Sequence, residues 1–333
     1  MDTHLCEDLS EAASEGHDAC VRKLLAAGAD PNTAVNGITS LHSAVWNGHE
    51  ACVAALIAAG ANPNAANVNG HTPLHRAAMG GYEACVRILI EAGADPNVVN
   101  VYGITPLYWA AMGGYEACVR VLIEAGVDPN VASNGGRTPL YWAVWNGHEA
   151  CVAALISAGV DPNAVNDDGH TPLIWATWNG REACVMALIA AGADLNVASN
   201  DGWTPLHRAA RGGHESCIMT LIAAGADPDI IDNCGRTPLH RTVEKGNKEC
   251  TKILVECILA DRALTDYEWD LMSPDSDIGH LLPVVMTRDG RDAAAKLVSK
   301  LPEEKRKVLQ TAAMCLSHFV HHDVAEQILV RCV

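Results

Sequence analysis

The stretch Gly70-His71-Thr72-Pro73-Leu74-His75-Arg76-Ala77-Ala78-Met79-Gly80-Gly81-Tyr82-Glu83-Ala84-Cys85-Val86-Arg87-Ile88-Leu89-Ile90-Glu91-Ala92-Gly93 decides the architecture. Thr72 is an N-cap residue, and Pro73 falls at the first helical position, where a missing N–H costs nothing. Gly80 and Gly81 stop that helix. Residues 82–92 form a second helix with Cys85, Val86, Leu89 and Ile90 at helical spacing, ended by Gly93. Ala94-Asp95-Pro96-Asn97 is a turn that Pro96 stiffens. Neither helix is long enough to stand alone in water, so each must stack on a neighbour.

The neighbours are copies of the same unit. Thr-Pro-Leu recurs at Thr72, Thr105, Thr138, Thr171, Thr204 and Thr237, each 33 residues from the last, and Thr39-Ser40-Leu41 is the same element without Pro. A second ladder, Cys20, Cys52, Cys85, Cys118, Cys151, Cys184, Cys217 and Cys250, steps by 32 once and then by 33. The short step lies between Asn32 and Gly37, where one loop residue is lost. These are eight copies; the first, about residues 5–34, has no Gly-x-Thr-Pro, and the last has no Gly-Ala-Asp-Pro-Asn. A fixed period of this length means a stacked array with one continuous core.

The period, Gly-x-Thr-Pro-Leu-His, Ala-Ala and Gly-Ala-Asp-x-Asn together resemble the ankyrin repeat over roughly residues 5–258. The resemblance implies an all-α solenoid of stacked helix pairs with projecting β-turn or hairpin fingers, elongated and slightly curved. At roughly 10 Å between packed helices it would be on the order of 70–80 Å long. The array is assigned to residues 1–260, with atypical first and last copies as caps, and a helical C-terminal region to 261–333. The resemblance also implies a hydrogen-bonding role for His42, His75, His207 and His240. Tyr108, Tyr141 and Ile174 replace that histidine in the middle copies, weakening those bonds and adding bulk.

Composition narrows the function. Lys and Arg total 23 against 40 Asp and Glu, a net charge of −17, which repels phosphate backbones and anionic lipid; neither nucleic acid nor membrane is an expected partner. There is no apolar run of transmembrane length, and Met1-Asp2-Thr3-His4-Leu5-Cys6-Glu7-Asp8 does not read as a signal or transit peptide. The expectation is a monomer in the cytosol or nucleus, its 13 Cys present as thiols. The Cys ladder reads as small core hydrophobes, since successive copies lie too far apart for a disulfide or shared zinc. No phosphate-binding Gly-rich loop, His-Glu-x-x-His, close Cys-x-x-Cys or Gly-x-Ser-x-Gly occurs, so neither enzyme activity nor a cofactor is expected.

The remaining signal is where the variable residues fall. Finger places hold Ile38, His71, Ile104, Arg137, His170, Trp203 and Arg236; the place after Leu-His holds Ser43, Arg76, Trp109, Trp142, Trp175, Arg208 and Arg241. The place after Ala-Ala holds Trp46, Met79, Met112, Trp145, Trp178, Arg211 and Glu244. Seven of the eight Trp fall in these columns, and Trp269 alone lies outside. The concave face is therefore expected to carry an aromatic strip of Trp109, Trp142, Trp145, Trp175 and Trp178 with Tyr108 and Tyr141 beside it, flanked by Arg208, Arg211, Arg236 and Arg241. Trp46, Trp203 and Arg76 complete the candidate partner-binding set. Trp, Tyr and Arg are enriched at binding hot spots. The expected partner is a protein or peptide with apolar or aromatic anchors and an acidic end on the Arg cluster. Two alternatives stand beside this: the Trp pack sideways against neighbouring first helices and stiffen the array, Trp109, Trp142 and Trp175 being the most buried, or a small molecule or glycan stacks on them.

In the C-terminal region Thr265-Asp266-Tyr267-Glu268 is a capping-box pattern, and short helices are expected near 293–301, 302–319 and 324–332. The plain reading is a cap over the last apolar face. The sharper one is a recruiting module of a ubiquitin-ligase adaptor, since Leu301-Pro302-Glu303-Glu304 with Val308-Leu309 is similar to an F-box opening. The SOCS-box pattern fails, because Thr311 stands where Leu should precede Cys315. Cys315, His318 and His322 share a helix face but lack a fourth metal ligand.

Overall fold

The computed structural model describes residues 8–261 together with Thr265 and Glu268. Sixteen helices occur among them as eight pairs: α1 (Leu9–Ser14) with α2 (Asp18–Ala26), α3 (Ser40–Trp46) with α4 (Glu50–Ala58), α5 (Pro73–Gly80) with α6 (Glu83–Glu91), and α7 (Pro106–Gly113) with α8 (Glu116–Glu124). Then follow α9 (Pro139–Asn146) with α10 (Glu149–Ser157), α11 (Pro172–Trp178) with α12 (Glu182–Ala190), α13 (Pro205–Gly212) with α14 (Glu215–Ala223), and α15 (Pro238–Lys245) with α16 (Lys248–Asp261). This is the solenoid of helix pairs that the resemblance implies. The helices expected near 293–332, Trp269 and the Cys315, His318, His322 group lie outside the described residues.

Among the described residues, 8–176 with 186–193 form one compact unit, and 177–185 with 194–261 form a second. In the first, α1, α3, α5, α7 and α9 pack side by side, with α2, α4, α6, α8 and α10 in a row behind them. Leu41, Leu74, Leu107 and Leu140 of the front row and Leu56, Leu89, Leu122 and Leu155 of the back row are sealed from solvent. The ladder cysteines from Cys52 to Cys151 lie buried among them. Burial pushes the Cys118 thiol up to about 12 and Cys85 and Cys151 to about 11, so all three stay protonated and apolar at neutral pH. In the second unit α13 packs on α15 and α14 on α16, around Leu206, Leu221, Leu239 and Leu254.

The caps show why Thr and His recur together. The backbone N–H of Thr72 donates to Nδ1 of His75 (3.2 Å), so the ring proton sits on Nε2, which donates to the carbonyl of Ile104 in the next finger (2.9 Å). One imidazole thus closes a capping box and ties its repeat to the following one. His42 and His207 do the same, reaching the carbonyls of His71 (3.1 Å) and Arg236 (2.8 Å). Where Tyr108 stands instead, Thr105 still caps the helix by accepting the Tyr108 N–H (3.2 Å).

The fingers are turns, not sheets, with one exception. The single strand pair among the described residues, β1 (Ala34–Val35) with β2 (Ile38–Thr39), falls where the loop is a residue short. Asn36 and Gly37 both take positive φ (53° and 76°), the two-residue turn whose twist matches a hairpin. Elsewhere the extra residue opens the turn, as where Asn67 pairs with His71 across Val68, Asn69 and Gly70. Gly70 is required there: φ is +75°, and a Cβ would meet the Asn100 backbone at 3.1 Å. Finger asparagines link copies, Asn64 accepting the Asp95 N–H (2.8 Å) and donating to the Gly93 carbonyl (3.0 Å).

Candidate partner-binding face

First-helix residues just past the cap, and those one turn later, project beside the fingers. In the first unit they build a continuous aromatic ladder. His71 meets Trp109 edge-on at 6.3 Å, and Tyr108 lies between Trp109 (5.8 Å) and Trp142 (5.9 Å). Tyr141 meets Trp142 and Trp175, both edge-on at 5.2 Å, and Trp145 at 6.0 Å; Trp145 and Trp175 are 4.8 Å apart. Edge-to-face contacts of this kind add to the area that the rings bury.

The rings therefore do not stand in water as one strip. Trp175 (8% exposed), Tyr108 and Tyr141 are buried, and Trp109, Trp142 and Trp145 are half-buried. Sideways packing against the next first helix, one of the alternatives above, accounts for them. Burial raises the Tyr108 hydroxyl above its usual value, opposed by the nearby polar groups of Trp142 and Ser133 and by the charge of Arg137. The indole that stands open in this unit is Trp46, 53% exposed, with the guanidinium of Arg76 4.1 Å over its ring. Arg137 is exposed and lies about 5.5 Å from the rings of Trp142 and Tyr141. Both ring nitrogens of His71, and the indole N–H of Trp109, find no hydrogen-bond partner among the described residues.

In the second unit Trp178 is open (41% exposed), under Arg208 at 4.1 Å. Trp203, expected on the open face, is 6% exposed, enclosed by Arg208 and Arg241 at 4.5 Å and Arg211 at 5.0 Å. The Arg cluster also differs from expectation. Arg208 and Arg241 are buried, and carboxylates of the same chain already neutralise them. Arg208 bonds Asp201 (3.0 Å), and Arg241 bonds Asp232 through Nε (3.0 Å) and Glu244 (2.9 Å). Arg236 is exposed but paired with Glu244. Burial works against the charge of Asp232, yet hydrogen bonds from Arg241 and from the N–H groups of Arg236 and Cys234 hold its pKa below the usual carboxylate value. Of the four, Arg211 alone is both exposed and without a carboxylate among the described residues.

Sequence reasoning missed Asp201 and Asp232, the partners that turn Arg208 and Arg241 into structural residues. The available signal was an Asp in the finger seven or nine residues before the Arg. It also missed the apolar finger tips: Val35, Val68, Val101 and Tyr102 are all exposed.

The sequence profile of ankyrin repeats (three copies) matches residues 9–100, 92–166, 154–232 and 206–272. The chain belongs to the ankyrin repeat family. Among solved structures it is similar to the ankyrin repeat domain of human ASB11, 32% identical with a TM-score of 0.60, over 66% of this chain and 98% of that one. A search of curated proteins found no match. Ankyrin repeats are scaffolds that bind protein partners, and this ankyrin array has the solenoid that such binding uses. No helix among the described residues is long and apolar enough to cross a membrane. Among them, too, no three His, Cys, Asp or Glu side chains gather to hold a metal ion.

Proposed function

We propose that this protein is a non-catalytic interaction scaffold that binds a protein or peptide along the face made by its first helices and fingers. The supporting observation is that each unit holds an exposed indole with an arginine guanidinium over its ring at 4.1 Å, Trp46 under Arg76 in the first and Trp178 under Arg208 in the second. Anchors held this way lose little freedom on binding, so more of the contact energy appears as affinity. Partners from cell extract are captured with the full chain and with Trp46→Ala/Trp178→Ala, and compared by mass spectrometry. Loss of specific partners at unchanged circular dichroism supports the face; an unchanged set of partners removes it.

A second reading is a substrate adaptor of a ubiquitin ligase, with residues 261–333 recruiting the ligase. Its support is the F-box-like run Leu301-Pro302-Glu303-Glu304 and the likeness of the repeats to those of ASB11. Recovery of a cullin-linker protein by the full chain, but not by residues 1–260, supports this reading. Recovery by neither leaves the C-terminal region as a cap.

A further inference from the structure

In α13 and α15 the arginine just past the cap is neutralised from the finger of its own repeat, Arg208 by Asp201 and Arg241 by Asp232. Arg76 occupies the same place in α5. The finger positions equivalent to Asp201 and Asp232 hold Asn69 and Asn67 in that repeat. Asn67 is already committed, its side-chain oxygen accepting the N–H groups of Asn69 (2.9 Å) and His71 (3.0 Å). Arg76 is thus a half-buried cation with no carboxylate partner among the described residues. Its titratable neighbours His42, His71 and His75 supply no anion.

The surroundings form a site. Trp46, Arg76, Ile38 and Ser43 line a cavity of about 300 Å³, with room for one or two side chains. Its other polar walls are already bonded: Asn47 donates to the Ser14 carbonyl (3.0 Å) and His42 Nε2 to that of His71 (3.1 Å). The guanidinium lies 4.1 Å over the indole and is half-buried, without an internal carboxylate among the described residues; a guanidinium fork can bind a carboxylate with two hydrogen bonds.

We propose that this cavity receives an Asp or Glu side chain from an extended segment of a partner protein, the carboxylate on the edge of Arg76 and an adjoining apolar side chain against Trp46 and Ile38. The proposal rests on the reading of this face as a recognition surface. It moves the acid-reading position from the Arg208–Arg241 cluster to the N-terminal repeats.

The test is phage selection of short peptides, displayed without a free C-terminus, on the full chain. Selected sequences are enriched in an acidic residue beside an apolar one. A selected peptide, acetylated and amidated, loses about tenfold or more in affinity by fluorescence anisotropy on Arg76→Gln. The same loss follows Glu→Gln in the peptide, and the two changes together cost no more than either. Ser43→Asp, which supplies the cavity with an internal carboxylate and keeps Arg76, weakens binding as well. Absence of binders, selection without acidic enrichment, or full affinity in Arg76→Gln overturns the proposal. So does binding restricted to peptides with a free C-terminal carboxylate. Peptides indifferent to Arg76→Gln but lost in Trp46→Ala/Trp178→Ala refute the cavity and leave the wider face standing. Peptides that depend on Arg76, with protein capture unaffected by the double Trp variant, do the reverse.

Discussion

Arg241 donates from Nε to the carboxylate of Asp232 at 3.0 Å, and the side chain of that aspartate is wholly buried. The guanidinium lies at the same time 4.5 Å from Trp203. Asp232→Asn keeps an oxygen for the finger N–H groups but removes the buried charge, leaving the buried cation with only the more exposed Glu244 as its anion. The expected loss is about 3 kcal/mol, read by urea unfolding. The double change Asp232→Asn/Arg241→Met, which replaces the ion pair with neutral groups, costs less than the single one.

Acid should loosen the array through its capping histidines. Burial lowers the pKa of His75 to about 4, against 6.5 in the unfolded chain, with the Ile104 hydrogen bond opposing. Below pH 6.5 the unfolded chain therefore binds a proton that the folded one refuses. This contribution is complete above pH 6.5 and is lost as pH falls towards 4, about 3 kcal/mol for His75 alone. His42, His207 and His240 shift in the same direction, each chiefly by burial. Unfolding in urea at pH 7.5, 6 and 5 measures the slope, and His75→Tyr, the residue found at this place in two other copies, flattens it.

The Trp split into structural and open classes. Trp175→Ala removes a buried ring that touches Tyr141 and Trp145, and should cost about 3–5 kcal/mol. Trp46→Ala removes an exposed ring whose contact to Arg76 is worth about 1 kcal/mol at most. Thermal melts of the two variants should differ by many degrees; equal melting temperatures would contradict the assignment.

Thiol chemistry should separate the ladder from the surface. Cys118, pushed up to about 12 by burial, stays unmodified by iodoacetamide at pH 8 in the folded protein, and exposed Cys234 is alkylated. Peptide mass spectrometry before and after unfolding reads both.

The repeat, its caps and its core were legible because each depends on residues close in sequence: Thr72 with Pro73 and His75, Gly81 after the helix, Leu74 and Leu89 at helical spacing. The candidate site was legible as a set of positions but not as a surface. Whether an indole is open depends on what the adjacent copy places beside it. Trp46 and Trp145 occupy the same column, yet Tyr141 and Trp175 close over Trp145 while the guanidinium of Arg76 lies over Trp46. The fate of an arginine in turn depends on one finger residue, Asp at 232 but Asn at 67, and charge counts along a helix do not contain that comparison.

Two successive finger asparagines grip the turn that closes the second helix of the next copy through the same pair of atoms, Asn32 on Asn62 and Gly60, Asn64 on Asp95 and Gly93. A joint made the same way at successive seams does not record which two copies it joins. Genetic excision or duplication of thirty-three codons, cut at any phase within the unit, restores an intact seam. Such events would let the gene reshuffle its recognition columns wholesale, trading one indole or guanidinium pattern for another without first losing a foldable product.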